Sequence, residues 1–179
     1  MVDVGKLVSQ VADGRRKAFE ILLTIYESRF LAVARAITGD AAAAEDAVQE
    51  AFIRILRFAA DADAHRNPDP WLFRICVNCA RDERDRSRRS RPAEDSFDWL
   101  DGAVDLSTPL SLSIAAEDRS RLVEALAALK PELRVVLLLR FTADLKYDQI
   151  AGVLGIPAGT VKSRLHAALG MLRRTVGVL

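Results

Sequence analysis

Cys76 and Cys79 form a CxxC, the spacing of zinc sites and redox dithiols, and Asp46 and Glu50 lie four apart, the spacing of a carboxylate pair on one helix face. The rest of the chain completes neither pattern. A structural zinc site normally takes four ligands, and these are the only two cysteines. Both fall on the apolar side of their helix with Trp71, Leu72 and Ile75, so a core role is expected for them. Nothing near Asp46 and Glu50 would raise one carboxyl for general-acid work, and His65, a lone loop histidine, is expected to be solvent-exposed rather than a stray ligand. Glycine-rich phosphate loops, HExxH and nucleophile elbows are absent. The expectation is a protein that is not an enzyme, with no metal, no cofactor and no small-molecule substrate.

Binding chemistry is better represented. In "GIPAGTVKSRLHAAL", Gly155 to Leu169, Gly155 permits a sharp turn, Ile156 plugs it and Pro157 fits just ahead of a helix start. The following helix turns Val161, Leu165, Ala168, Leu169 and Leu172 inward and leaves Lys162, Ser163 and His166 outward near its N-terminus. A recognition helix contacts base edges and phosphates from that position. A solvated helical hairpin with ordinary surface charges is the alternative.

Two further faces carry charge. On the helix from Trp71, Arg74, Arg81, Arg84 and Arg88 form a stripe with Asn78 at its edge; such a row suits a phosphate backbone, or is a solvated face laced to Asp82 and Asp85. On the helix preceding it, Val48, Ala51, Phe52 and Ile55 share one side, while Asp46, Gln49, Glu50, Arg54 and Arg57 surround Ile53 on the other. An isoleucine ringed by polar groups resembles the centre of a protein interface, although single exposed isoleucines are common.

The elements that must position these faces are helical. Half of the 179 residues are hydrophobic and only 6% are aromatic, which favours packed helices, and the length suits two small domains. Phe19, Leu22, Leu23, Tyr26, Phe30, Val33 and Ile37 mark a helix that Gly39 stops; Asp40 caps the next, which runs to about Ala59. Pro68 and Pro70 break "DADAHRNPDP" into a loop, bias Asn67 and Asp69 towards extended backbone, and set the third helix to begin at Trp71 and reach about Arg88. Four helical pieces are expected after the linker, at 118–128, 131–142, 146–154 and 158–176.

The fold class expected is all-α: an N-terminal domain over 1–91, an acidic linker over 92–117, and a C-terminal domain with a helix-turn-helix over 118–179. The formal net charge of +1 hides this layout, because Arg81 to Arg91 holds six arginines against three acids while Pro92 to Asp118 holds seven acids and no Lys or Arg. No apolar run has the length of a signal peptide or a membrane span, so a cytoplasmic protein without direct membrane insertion is expected.

Three ordered motifs, "AEDAVQEAFIRILR", "WLFRICVNCARDERDRSRR" and "IAGVLGIPAGTVKSRLHAALGMLRR", together resemble the extracytoplasmic-function sigma factors of bacterial RNA polymerase over nearly the whole chain except the linker. The resemblance implies a factor that binds core RNA polymerase at its clamp and flap, directs it to promoter DNA and supports melting. By motif position it places Asp46, Gln49, Glu50 and Ile53 on the clamp. It also places the loop Asp61 to Asp69, including His65, Arg66 and Asn67, with Asn78 around a flipped minus-ten base. Arg74, Arg81 and Arg84 would hold the melted strand. Thr160, Lys162, Ser163, Arg164 and His166 would meet the minus-thirty-five element, helices around Leu122 to Leu139 the flap, and the linker the RNA-exit channel. An anti-sigma factor is an implied partner.

The chain departs from the family pattern at three places. Ala167 stands where a basic residue is frequent. Lys146 replaces a capping Ser, leaving Asp144 as the expected cap of that helix, and the CxxC replaces a small and an apolar residue. A conventional helix-turn-helix regulator, with an N-terminal sensing or dimerisation domain, and a helical adaptor would display the same faces to other partners.

Overall fold

A computed structural model describes residues 2–62, 67–90 and 116–176. The described residues form eight α-helices and one 3-10 turn, with no strand: α1 Val4–Ala12, α2 Arg16–Thr38, α3 Ala41–Phe58, the turn Ala59–Asp61, α4 Asp69–Ser90, α5 Ala116–Ala127, α6 Pro131–Phe141, α7 Tyr147–Leu154 and α8 Ala158–Val176. Residues 92–115 of the expected linker, with His65 and Arg66, lie outside the described residues; its last two expected positions, Ala116 and Glu117, are instead the start of α5.

Most boundaries follow from local chemistry. Gly39 ends α2 in the left-handed region at φ 73°, and its N–H bonds the Arg35 carbonyl. Asp40 accepts from the Ala43 N–H at 2.7 Å and so caps α3. At α4 the expectation of a start at Trp71 is corrected. The helix begins two residues earlier, with Pro70 inside its first turn, where a missing N–H costs nothing because no intrahelical acceptor exists for it. Asp69 is therefore helical rather than extended. The Pro68 carbonyl accepts from Leu72 N–H at 2.9 Å and the Asn67 side chain accepts from Asp69 N–H at 3.0 Å.

Helix α1 was not legible as an element from the periodicity that marks α2 to α4. It is short, but Asp3 caps it through Lys6 N–H, and Leu7, Val8 and Val11 bury its inner face against α2 and the 3-10 turn. Helices α2, α3 and α4 pack around Tyr26, Phe30, Phe52 and Phe73. Phe30 meets Phe73 edge-on with centroids 5.2 Å apart and lies 5.3 Å from Phe52. Burying a side chain such as Phe30 contributes on the order of 2–3 kcal/mol. The Tyr26 hydroxyl donates to Asp69 Oδ1, tying the first turn of α4 to α2. Burial, then that carboxylate, pushes the Tyr26 phenol well above its ordinary range, so it stays protonated as the donor.

In the C-terminal half the largest fully buried side chain is that of Arg134 on α6. Its Nε donates to the Leu126 carbonyl at 2.8 Å, and Nη2 reaches the carbonyls of Ala127 at 2.5 Å and Leu129 at 2.7 Å. These carbonyls close α5 and the turn after it, where a helix leaves acceptors without intrahelical donors. Desolvation lowers the guanidinium to about 10, so it is still a cation at neutral pH.

Lys146 occupies the N-cap of α7, and its N–H donates to Gln149 Oε1 at 2.8 Å. Asp144 does not cap α7, contrary to expectation. It adopts φ 50° in the turn and accepts from Arg140 Nη1 at 2.8 Å. The two halves touch, α6 lying on α2 and α7 on α4.

Candidate nucleic-acid interface

The turn between α7 and α8 has the form a helix-turn-helix requires. Gly155 is left-handed at φ 68°, a conformation that strains any residue with a Cβ, and its N–H closes α7 on the Ala151 carbonyl at 2.8 Å. Ile156 packs on the core beneath the turn, and α8 starts directly after Pro157. Val161, Leu165, Ala168 and Leu172 are buried, and Leu169 is half-buried. Lys162, Ser163 and His166 are exposed, and Thr160 and Arg164 are half-buried beside them. The Ser163 hydroxyl donates back to the Thr160 carbonyl at 3.0 Å, leaving its lone pairs outward as acceptors. Ala167 is exposed on the same helix and adds no donor.

The α4 stripe is not uniform. Arg74 and Asn78 are exposed and near one another in register, as is Arg88 further along. Arg84 is half-buried and doubly bonded to Asp85 Oδ1, at 3.1 and 2.9 Å. Asp82 turns away from the stripe to Arg54 on α3 at 3.3 Å. Arg81 leaves the stripe too: its Nη2 donates to the Leu154 carbonyl of α7 at 2.9 Å, and burial lowers its pKa. The expected row of four guanidinium groups thus holds two exposed ones and two that are engaged within the protein.

On α3, Asp46, Gln49, Glu50 and Ile53 are all exposed, Ile53 to 51%. Glu50 is already held by Arg54 Nε at 2.7 Å. Sequence reasoning missed Leu56, one turn beyond Ile53 and 47% exposed. Ile53 and Leu56 line an open groove with Phe19, Leu23, Val48 and Phe52, and Glu27, Glu45 and Gln49 stand along it. The i, i+3 spacing of two outward apolar residues was the available signal. Around Leu122 to Leu139, by contrast, Leu126, Leu129 and most of α6 are spent on the core, and the exposed large apolar side chains among the described residues of this half are Phe141 and Tyr147.

Cys76 and Cys79 are buried free thiols. Burial is the main cause that raises both, Cys79 to about 11. Among the described residues no group of three or more His, Cys, Asp or Glu could hold a metal. Native protein is expected to resist alkylation by iodoacetamide that urea-denatured protein takes up at both thiols; rapid native labelling counted by mass spectrometry would contradict the core assignment.

Residues 22–90 match the family described as Sigma-70 region 2, and residues 119–172 match Sigma-70 region 4. The ECF RNA polymerase sigma factor SigL of Mycobacterium tuberculosis is 43% identical over 141 residues, 78% of each chain. The ECF RNA polymerase sigma-E factor of Escherichia coli is 31% identical over 175 residues, 90% of this chain and 88% of that one. The fold is similar to that of CnrH in complex with the cytosolic domain of CnrY, with a TM-score of 0.65 over 98% of each chain and 23% identity. It is also similar to RpoE in complex with the anti-sigma factor NepR from Bartonella quintana, with a TM-score of 0.63 over 89% of this chain and 95% of that one at 22% identity. A helical pair of region 2 and region 4 units defines the class as sigma-70-type initiation factors. The chain belongs to the extracytoplasmic-function sigma factors of RNA polymerase, the non-catalytic subunits that bring polymerase to promoters. No helix among the described residues is long and apolar enough to cross a membrane.

Proposed function

We propose that this sigma factor acts in the cytoplasm, is not itself an enzyme, and divides its work between residues 1–91 and 118–179 joined by the linker 92–117. The α3 face of Asp46, Gln49, Glu50 and Ile53 binds the polymerase clamp. Asn78, Arg74, Arg81 and Arg84, with His65, Arg66 and Asn67 of the preceding loop, take the melted minus-ten strand. Thr160, Lys162, Ser163, Arg164 and His166 read the minus-thirty-five element, and the C-terminal half meets the flap. An anti-sigma factor, the kind of partner named for the relative from Bartonella quintana, restrains it.

The observation that carries this reading over a conventional regulator is the apolar pair Ile53 and Leu56, exposed at the centre of a polar face on a helix whose other side is fully used by the core. The test is transcription in vitro by core polymerase with and without the protein on a promoter library. Specific initiation, with a permanganate-reactive bubble, is expected only with the protein; initiation no better than with core alone would refute it.

Within the assembled holoenzyme, Lys162→Ala is expected to weaken minus-thirty-five binding and to flatten the slope of log affinity against log salt by about one phosphate's worth, roughly 0.9. A weaker complex with an unchanged slope would instead make Lys162 a base contact.

A further inference from the structure

The acids of α4 beyond Asn78 are Asp82, Glu83 and Asp85, and each is held by an arginine. Glu83 is bonded to Arg86 and Asp85 to the adjacent Arg84, both on α4 itself. Asp82 is held from another helix, by Arg54 of α3. Arg54 is a fork with a carboxylate on each side. Its Nε donates to Glu50 Oε1 at 2.7 Å along α3, and its Nη1 donates to Asp82 Oδ2 at 3.3 Å across the seam between the helices. Glu50 thus orients the guanidinium so that its other edge faces α4. The side chains of Arg54 and Asp82 are 35% and 58% exposed, and ion pairs so open to water contribute little to stability. The arrangement is therefore better explained by where it puts the charge of Asp82.

Helix phase shows why that place matters. Asp82 stands one turn beyond Asn78 and only about 40° round the helix from it, on the side away from the arginine stripe. It is the carboxylate that borders the Asn78 edge, where the proposed function brings the melted strand. A carboxylate about 7 Å from a phosphate repels it by enough to cost roughly threefold in affinity in water, and more at the lower effective dielectric of a protein surface. Arg86, four residues on from Asp82, is the arginine of α4 best spaced to take it, but is already bonded to Glu83.

We infer that Arg54 is a positioning residue of the strand site: by drawing Asp82 towards α3 it removes a repelling charge from the edge that Asn78 and Arg74 present to single-stranded DNA. This rests on the assignment of that face of α4 to the melted strand. It also gives Arg54, which the sequence places on the polar rim around Ile53, a role on α4 that is separate from the polymerase face.

The test is made in holoenzyme, with core polymerase saturated by each of four full-length chains: wild type, Arg54→Met, Asp82→Asn and the double variant. Saturation removes any effect of Arg54→Met on polymerase affinity through Glu50. On a promoter that wild type selects from the library, the lifetime of the permanganate-reactive bubble is followed after a challenge with competitor DNA. Arg54→Met keeps most of the stem and is expected to shorten the lifetime about threefold, by a factor that shrinks as salt rises and screening shortens. Asp82→Asn is expected to match or outlast wild type and to abolish the effect of Arg54→Met in the double variant. A purely structural contribution, or a general loss of one positive charge, would persist without the Asp82 carboxylate. Equal shortening by Arg54→Met in both backgrounds therefore overturns the inference, as does a folded Arg54→Met variant whose bubble lives as long as that of wild type. If circular dichroism shows that Arg54→Met does not fold, Arg54→Gln takes its place under the same criteria. Failure of wild type to form a bubble with core refutes the sigma assignment and this inference with it, whereas additive variants beside an active wild type refute only the role of Arg54.

Discussion

Ile53→Asp is expected to abolish detectable binding to core polymerase while leaving the helical circular dichroism and the melting temperature of the free protein nearly unchanged. Residue 53 is half exposed on the solvent side of α3, and its side chain is not part of the buried cluster of Leu22, Phe30, Phe52 and Phe73. The fold therefore loses little. An interface centre, in contrast, loses an apolar anchor and gains a desolvated carboxylate without a partner, a change typically worth more than about 2 kcal/mol, or at least some thirtyfold in affinity. Leu56→Asp is expected to act in the same direction, since it lines the same groove. A pull-down with core polymerase that retains either variant at wild-type affinity would return this face to ordinary surface.

Arg134→Met should be the most damaging single change to stability. The guanidinium is fully buried and its donors serve the carbonyls of Leu126, Ala127 and Leu129 at the end of α5 and in the turn to α6. Methionine fills much of the space yet donates nothing. Each carbonyl left buried without a donor costs on the order of 1–3 kcal/mol, so a loss of about 3 kcal/mol or more is expected in urea unfolding, concentrated in the C-terminal half. Arg134→Lys keeps the charge but not the fork that spans several carbonyls, and should recover only part of it. Urea midpoints for the methionine variant within error of wild type would show that water replaces the guanidinium at no cost.

The parts of this protein that were legible in its sequence are those decided within one helix. Asp40 before a run of alanines, Gly39 and Gly155 at left-handed stops, and the three-and-four spacing on α2, α3 and α8 are local signals, and the structure places the elements accordingly. Pro70 misled because a proline reads as a barrier, whereas in the first turn it is harmless; the deciding group, Asn67, acts from outside the helix. Helix α1 is amphipathic but too short for periodicity to separate from noise, and its burial depends on α2 and the 3-10 turn.

The candidate interfaces divide in the same way. Exposure of Ile53, Lys162, Ser163 and His166 follows from helix phase alone. The fate of Arg81 does not, because its partner is a backbone carbonyl 73 residues away, and a carbonyl has no side-chain identity to read.

The Tyr26–Asp69 bond carries a consequence beyond holding a helix. It anchors the first residue of α4 to the ring of Tyr26, which itself packs against Phe73 one turn further along that helix. The register of α4, and with it the placing of Arg74 and Asn78 along the exposed face, is therefore set from inside the aromatic core.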